Sequence, residues 1–272
     1  MPIPLKLTGK IDIPLSDDML MHYVMSRSNL ALKGLVCALK GLKPEQIDSV
    51  ILNNPIDYGS YAGKEIVLDI KVLLNGGEIL DIELQTYYDA YWIERSLYYL
   101  SRSYDTLAAG EKYGMLKPIT QVSIMNRDLF PTYPEFYSRF LLKNLRYDYP
   151  YTSNYALHVL YLNRIELATK QDAQDDLVFW AKLFSAATWE EIYALSRPDA
   201  VREQRGSAVK GVRDGVPLVL FQIDFRVHAG KGNMRTVIFP GTGAVESLVI
   251  FSYQILPAFR VFPYPFLKLC FY

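Results

Sequence analysis

Residues Lys64–Gln85 read KEIVLDIKVLLNGGEILDIELQ, and this stretch predicts a β-hairpin. Its two halves, Ile66–Leu74 and Glu78–Gln85, are rich in Val, Ile and Leu, as strands are. Between them, Asn75–Gly77 supplies residues that accept the positive φ angles of a tight turn. The hairpin is therefore the first predicted element of the fold.

The register of the hairpin decides which side chains meet. A three-residue loop pairs Leu74 with Glu78 and, further out, Asp69 with Glu83. Directly opposed residues lie about 4.5–5.5 Å apart, and two carboxylates at that distance repel unless a proton or a cation lies between them. The hairpin thus predicts a site for a positive charge.

Successive residues of a strand point to opposite sides of the sheet, so the hairpin has two distinct faces. The polar face is predicted to carry Asp69, Lys71, Asp81, Glu83 and Gln85. The other face is predicted to carry Leu68, Ile70, Val72, Leu80, Ile82 and Leu84. One face is expected to join the core, and the other is expected to support chemistry.

A divalent cation would relieve the repulsion between Asp69 and Glu83. Two carboxylates, a backbone carbonyl and waters form the hard oxygen shell that Mg²⁺ prefers, with Mn²⁺ as an alternative. The stretch contains neither Cys nor His. The competing interpretation is a solvated hairpin face whose charges only keep the protein soluble.

A series of motifs in fixed order extends this pattern. After Asp69 and Glu83-Leu84-Gln85 the chain carries Arg95-Ser96-Leu97-Tyr98-Tyr99, Gly110, Tyr113 and Leu116-Lys117-Pro118. From Asp18 to Arg205 the chain resembles the PD-(D/E)XK nuclease family of transposases, also called recombination-promoting nucleases. Gln85 follows the pattern of that family, whereas the wider superfamily has Lys at this position.

The resemblance implies an α/β protein with a restriction-endonuclease-like core, in which helices flank a mixed β-sheet. It also implies a metal-dependent DNA endonuclease associated with recombination or transposition. Asp69 and Glu83 would hold the ion, and Gln85 would orient the attacking water as the third catalytic residue. The alternative is a catalytically inactive module that binds DNA or a protein partner on the same scaffold.

Composition is consistent with one globular domain and an appendage. The chain has 272 residues, of which 50% are hydrophobic and 21% charged, and a formal net charge of zero, so any DNA contact must come from a local patch. Cys37 and Cys270 lie far apart without metal-ligand spacing, and we expect a cytoplasmic protein without a secretory signal or a membrane span. A homodimer would supply the two sites that cleavage of both DNA strands requires.

Proline and composition divide the chain into three predicted parts: an N-terminal arm at 1–15, the nuclease-like domain at 16–205 and an atypical tail at 206–272. Ser16, Asp17 and Asp18 are predicted to be able to cap a first helix. The family resemblance implies an alternative role for Asp18, as an acidic residue facing the metal. From Val216 the tail turns strand-like and aromatic. It is either a small β appendage or the product of a frameshift, which the coding DNA would reveal as a charged helical sequence in another frame.

The segment from Ala90 to Ala109 predicts a helix ended by Gly110. Its stripe of Ile93, Leu97, Leu100, Tyr104 and Leu107 is expected to face the core. Arg95 and Arg102 fall on other parts of the helical surface and are predicted to contact DNA phosphates, unless they are merely solvated. The aromatic residues between Asp128 and Tyr151 are expected to pack in the core and its rim rather than to stack on bases.

Overall fold

The computed structural model describes residues 8–11, 14–53, 56–57, 66–67, 70–196, 228–229 and 235–236. The chain divides into two compact units, 1–220 and 221–272. In the second, β9 (His228–Ala229) and β10 (Arg235–Thr236) form an antiparallel pair. The other predictions about the tail lie outside the described residues.

In the first unit, two helices precede five strands, and α3 separates these from three further strands and three final described helices. The helices are α1 (Asp18–Arg27), α2 (Asn29–Lys40), α3 (Trp92–Tyr104), α4 (Lys170–Gln174), α5 (Leu177–Ser185) and α6 (Trp189–Ser196). The strands are β1 (Val50–Asn53), β2 (Ile56–Asp57), β3 (Ile66–Val67), β4 (Ile70–Leu74), β5 (Glu78–Gln85), β6 (Ile119–Met125), β7 (Tyr137–Leu141) and β8 (Tyr155–Tyr161).

Six of these strands form one mixed sheet in the order β1-β4-β5-β6-β8-β7. The three pairs β1–β4, β4–β5 and β8–β7 are antiparallel, whereas β5–β6 and β6–β8 are parallel. The parallel connection from β5 to β6 contains α3, as a crossover requires. The predicted α/β restriction-endonuclease-like fold, a mixed sheet flanked by helices, is therefore confirmed.

The hairpin forms around the predicted three-residue loop. Asn75 and Gly76 have φ angles of 49° and 66°, in the left-handed region, and Leu74 pairs with Glu78 as expected. The Asn75 side chain fixes the turn further, because its Oδ1 accepts hydrogen bonds from the backbone N–H groups of Asp48 (2.8 Å) and Ser49 (3.1 Å). The predicted register is confirmed for the described pairs, which end at Ile70 and Ile82.

The first predicted strand, Ile66–Leu74, is not one continuous partner of β5. Its beginning, Ile66–Val67, pairs with Ile56–Asp57 in a separate two-stranded sheet, and β4 starts at Ile70. Asp69 lies outside the described residues, so its predicted pairing with Glu83 stays a prediction.

Capping residues set the ends of the first two helices. Asp17, one of the three predicted caps, caps α1, because its Oδ1 accepts a 3.1 Å hydrogen bond from the N–H of Leu20. Asp18 is the first helical residue. Ser28 caps α2, and Gly41 ends it in the left-handed conformation at φ 64°.

The end of α2 packs against one face of the sheet. The Tyr137 hydroxyl donates to the carbonyl oxygen of Leu39 (2.7 Å) and lies 2.8 Å from Nδ1 of His158 on β8. Lys40 forms an ion pair with Glu78 at the start of β5. His158 is thus a buried histidine with a hydrogen-bond partner.

Three short helices, α4, α5 and α6, follow β8. Thr169 caps α4, and Asp176, at φ 63°, separates α4 from α5. The start of the described chain then pairs with the start of α6: the Ile11 N–H donates to Ala187 (2.8 Å), and the Gly9 N–H donates to the Glu190 carboxylate (3.1 Å).

The aromatic segment between Asp128 and Tyr151 differs from its prediction. Phe136 is buried, but most of the other rings are exposed. The physical reason is topological, because β7 is the edge strand of the sheet and no described helix covers the loop that follows it. The exposed rings are Phe130, Tyr133, Phe140, Tyr147, Tyr149 and Tyr151.

Candidate active site

The polar face of β5 is buried. Asp81, Glu83 and Gln85 are only 0%, 2% and 9% exposed, although they alternate with apolar residues as predicted. Ionised carboxylates are costly to bury unless a positive charge, hydrogen bonds or a metal ion balances them. A solvated hairpin face, the competing interpretation, is therefore wrong for these three residues.

The neighbouring strand β6 continues this polar surface. In the parallel register, Asp81 lies beside Gln121 and Glu83 lies beside Ser123, so the four side chains share one face. Gln121 and Ser123 are also buried, at 0% and 1% exposed. On the other side of Asp81, the antiparallel pairing with β4 places Lys71. The polar face is thus a patch of the sheet and not a single row.

Helix α3 covers this patch. Its first residue, Trp92, donates a 3.1 Å hydrogen bond from Nε1 to Oγ of Ser123. Nearer the other end of the helix, Leu100 packs with Ile79 of β5 and Ile119 of β6. The helix is therefore held to the sheet by the hydrogen bond of Trp92 at its start and by the apolar contact of Leu100 nearer its other end.

The face of α3 that is buried differs from the predicted stripe. Ile93 and Leu97 are exposed, whereas of the predicted residues Leu100 is buried. The sheet meets the helix with Ser123 at Trp92 and with Ile79 and Ile119 at Leu100, so the buried face of α3 is mixed rather than one apolar stripe. The buried residues of α3 are Trp92, Ser96, Tyr99, Leu100 and Ser103.

Arg95 of α3 makes several contacts. Its Nε donates to the Tyr99 hydroxyl (3.0 Å), and its guanidinium forms a 3.4 Å ion pair with Asp89. Burial alone lowers the pKa of Arg95, but Tyr99, Glu83 and Asp89 together raise it above its ordinary value. The charge of Glu83 therefore acts on Arg95, and about two fifths of the arginine side chain (39%) remains exposed.

Arg102 lies two turns further along α3 and is half-buried. Its Nε is buried and has no hydrogen-bond partner in the part of the chain that the structure describes. Arg95 thus interacts electrostatically with Glu83, whereas no contact between Arg102 and the polar face of β5 is seen in the described part of the chain.

Gln85 ends β5 and starts the loop that leads to α3. Its Nε2 donates a 2.7 Å hydrogen bond to the carbonyl oxygen of Tyr87, which fixes the orientation of the amide. The amide oxygen Oε1 is then the group of Gln85 that can accept a hydrogen bond or contact a cation. Gln85 therefore joins the polar face of β5 to the following loop.

The donor set fits a hard cation in its chemistry. The carboxylates of Asp81 and Glu83 and the amide oxygen of Gln85 are oxygen ligands of the kind Mg²⁺ binds, and they lie on one face of one strand. Among the described residues, no group of three or more His, Cys, Asp or Glu side chains is arranged to hold a metal. The second predicted ligand, Asp69, lies outside those residues.

The polar residues of β6 were not identified from the sequence. Gln121 and Ser123 stand in a strand that is otherwise apolar, at an i, i+2 spacing that places both on one face. That spacing is the signal that could have revealed them, because it continues the Asp81–Glu83 pattern on the adjacent strand.

Comparison with known proteins gives one family. The sequence model of the PD-(D/E)XK nuclease family of transposases matches residues 27–205. No curated protein and no solved structure matches the chain. In the described part of the chain, no helix is both long and apolar enough to cross a membrane.

Proposed function

The chain belongs to the PD-(D/E)XK nuclease family of transposases, and we propose that it is a Mg²⁺-dependent DNA endonuclease that acts in transposition or recombination. The observation that supports the proposal most is the burial of Glu83, beside Asp81 and Gln85, on one face of the central strand β5. Such carboxylates are costly to bury without a function or a counter-charge.

In this proposal Asp69 and Glu83 hold the ion, with Mn²⁺ as a possible substitute for Mg²⁺. A bound divalent ion supplies Lewis-acid activation of water and neutralises charge on the phosphodiester. Glu83 is suited to bind a cation because it projects from an inner strand of the sheet, where its pairing with Ser123 of β6 fixes its position. The charge of Glu83 contributes to the raised pKa of Arg95, so the two groups interact electrostatically.

Gln85 is proposed to position the attacking water. Its Nε2 is engaged with Tyr87, so Oε1 is the acceptor that can orient a water proton. Arg95 and Arg102 are proposed to contact the phosphates of the DNA backbone, which would fix the strand without reading its sequence. We further propose a cytoplasmic protein that acts as a homodimer when both strands are cut.

A plasmid-nicking assay tests this function. The parent protein should convert supercoiled plasmid to the nicked form with Mg²⁺ but not with EDTA, and Glu83→Gln should reduce the rate at least about a hundredfold. Asp69→Ala should have the same effect. Ser26→Ala, a change at an exposed position of α1, is the control. Retention of DNA without any Mg²⁺-dependent cleavage would instead support an inactive DNA-binding module.

A further inference from the structure

The loop that follows β5 carries three exposed tyrosines. We call residues 86–91 the tyrosine loop. Its residues Tyr87, Tyr88 and Tyr91 are 79%, 77% and 74% exposed, so three large aromatic rings of this loop lie in solvent. Single exposed rings are ordinary, but several together in a short segment are typical of a binding surface.

Hydrogen bonds hold the tyrosine loop in place. Asp89 is central to them, because its Oδ1 accepts from the N–H of Tyr91 (2.8 Å) and its carbonyl oxygen accepts from the Arg127 guanidinium (2.9 Å). Gln85 fixes the first turn by donating to the carbonyl oxygen of Tyr87. A loop that is already ordered loses little conformational entropy when it binds a ligand.

One of the three rings is also oriented by a charge. The guanidinium carbon of Arg127 lies 4.1 Å from the ring centroid of Tyr88, a cation–π arrangement. Nε of Arg127 is buried and lacks a hydrogen-bond partner among the residues described. Arg127 thus places a positive charge beside an exposed aromatic ring, which is the combination that proteins use to bind single-stranded nucleic acid.

The tyrosine loop lies at the same edge of the sheet as the candidate active site. Gln85 and Met125 are register partners at the carboxyl ends of the parallel strands β5 and β6. The tyrosine loop continues from the first strand, and Arg127 follows the second. In open α/β sheets, ligands bind at this edge. A substrate that reaches Glu83, two residues before the end of β5, therefore passes close to the tyrosines.

We propose that Tyr87, Tyr88 and Tyr91 stack on unpaired bases, so that the preferred substrate is DNA with a single-stranded segment next to the cleaved bond. Such substrates include overhangs, flaps and forks. This proposal rests on the proposed nuclease function. In a fully paired duplex the base faces are covered by their neighbours, whereas an unpaired base offers an open face to a tyrosine ring. Arg127 would balance the charge of the adjoining backbone.

Binding measured without cleavage tests the proposal. Fluorescence anisotropy with a labelled single-stranded oligonucleotide and its matched duplex, both in EDTA, gives the two affinities independently of catalysis. Replacing the three tyrosines with alanine should weaken single-strand binding about tenfold or more and duplex binding by less than about threefold. The triple phenylalanine variant should retain single-strand binding, because it keeps the rings.

Tyr151→Ala is the matched control. Tyr151 is 86% exposed and lies in the loop that joins the end of β7 to the start of β8. This loop is at the edge of the sheet opposite to the carboxyl ends of the parallel strands. Its loss should leave both affinities unchanged. Equal effects of the triple alanine variant on the two DNAs, or an equal loss in the triple phenylalanine variant, would overturn the proposal. So would a loss of self-association in the alanine variant without a change in DNA binding.

The outcome is distinguishable from failure of the nuclease function. A parent that nicks plasmid with Mg²⁺ but shows no tyrosine-dependent single-strand binding overturns the stacking proposal and leaves the nuclease function intact. A parent that binds single strands through the tyrosines but never cleaves supports stacking and overturns the nuclease function.

Discussion

Nε1 of Trp92 donates a 3.1 Å hydrogen bond to Oγ of Ser123, and both side chains are 1% exposed. The bond joins the first residue of α3 to the middle of β6. It fixes α3 to the sheet near the end of the helix that carries Arg95, the residue that interacts electrostatically with Glu83. The position of the arginine thus depends on a hydrogen bond that neither acidic residue makes.

Trp92→Phe should lower the free energy of unfolding by about 1–3 kcal/mol, because the buried Ser123 hydroxyl loses a donor. Chemical denaturation of the two single variants and of Trp92→Phe/Ser123→Ala measures the coupling. We expect a coupling energy of at least about 0.5 kcal/mol. Strictly additive effects would show that the hydrogen bond contributes nothing to stability.

Gln85→Leu should slow DNA nicking at least about tenfold, because Leu can neither orient water nor bond to the carbonyl oxygen of Tyr87. Gln85→Lys lacks the acceptor Oε1, but it should retain activity because its ammonium can orient the water by donating to the water oxygen. The nicking rate is measured beside Mg²⁺ affinity by calorimetry, and affinity should be nearly unchanged in the Leu variant. A Leu variant as fast as the parent would remove Gln85 from the mechanism.

Arg95→Ala and Arg102→Ala should each reduce the salt dependence of DNA binding by about one unit of slope, as expected for the loss of one phosphate contact. The affinity is measured over a series of salt concentrations. Arg146→Ala, at an exposed position in the loop after β7, is the control. An unchanged slope together with reduced stability would show that Arg95 stabilises the fold, through its interactions with Asp89, Tyr99 and Glu83, and does not contact DNA.

Acidification should destabilise the fold through His158. Burial, with smaller contributions from the charges of Lys40 and Arg139, lowers its pKa from 6.5 to about 3. At neutral pH the imidazole is neutral in both states, so it adds no pH dependence. Below about pH 6.5 the unfolded chain takes up a proton that the folded protein cannot bind, so stability falls by up to about 1.4 kcal/mol per pH unit.

Denaturant unfolding of the parent and of His158→Gln at pH 7 and pH 5 checks this effect. The variant is expected to lose stability at both values, because it disturbs the contact with Tyr137. Its decrease from pH 7 to pH 5 should nevertheless be smaller than that of the parent. Equal decreases in the two proteins would assign the acid sensitivity to other groups.

Removal of residues 216–272 should leave Mg²⁺-dependent nicking intact, because every residue proposed for chemistry lies between Asp69 and Arg102. The truncated and full-length proteins are compared by nicking rate and by circular dichroism. Loss of both fold and activity would show that the C-terminal unit stabilises the nuclease domain.

The hairpin register could be predicted because it depends on local chemistry. Asn75 and Gly76 accept the left-handed conformation, and a three-residue loop then fixes every pair up to Ile70 and Ile82. The burial of Asp81 and Glu83 could not be derived in this way. It depends on α3 and β6, which lie beyond the hairpin in sequence.

The exposed face of α3 shows the limit of hydrophobic periodicity. The rule that an apolar stripe faces inward assumes that the surface beneath the helix is apolar. Here the sheet presents Gln121 and Ser123 to the helix, so Trp92 turns its N–H inward while Ile93 and Leu97 remain exposed. Only knowledge of the adjacent strand could have shown that the helix would pack on polar atoms.

The hydrogen bonds between the start of the described chain and α6 constrain how the protein folds during synthesis. Gly9 and Glu190 are separated by 181 positions, so a contact between them forms only after nearly the whole nuclease domain has left the ribosome. The six strands of the sheet precede α6 and can pair before it emerges. The hydrogen bonds of Gly9 and Ile11 can therefore form only after the start of α6 has been synthesised.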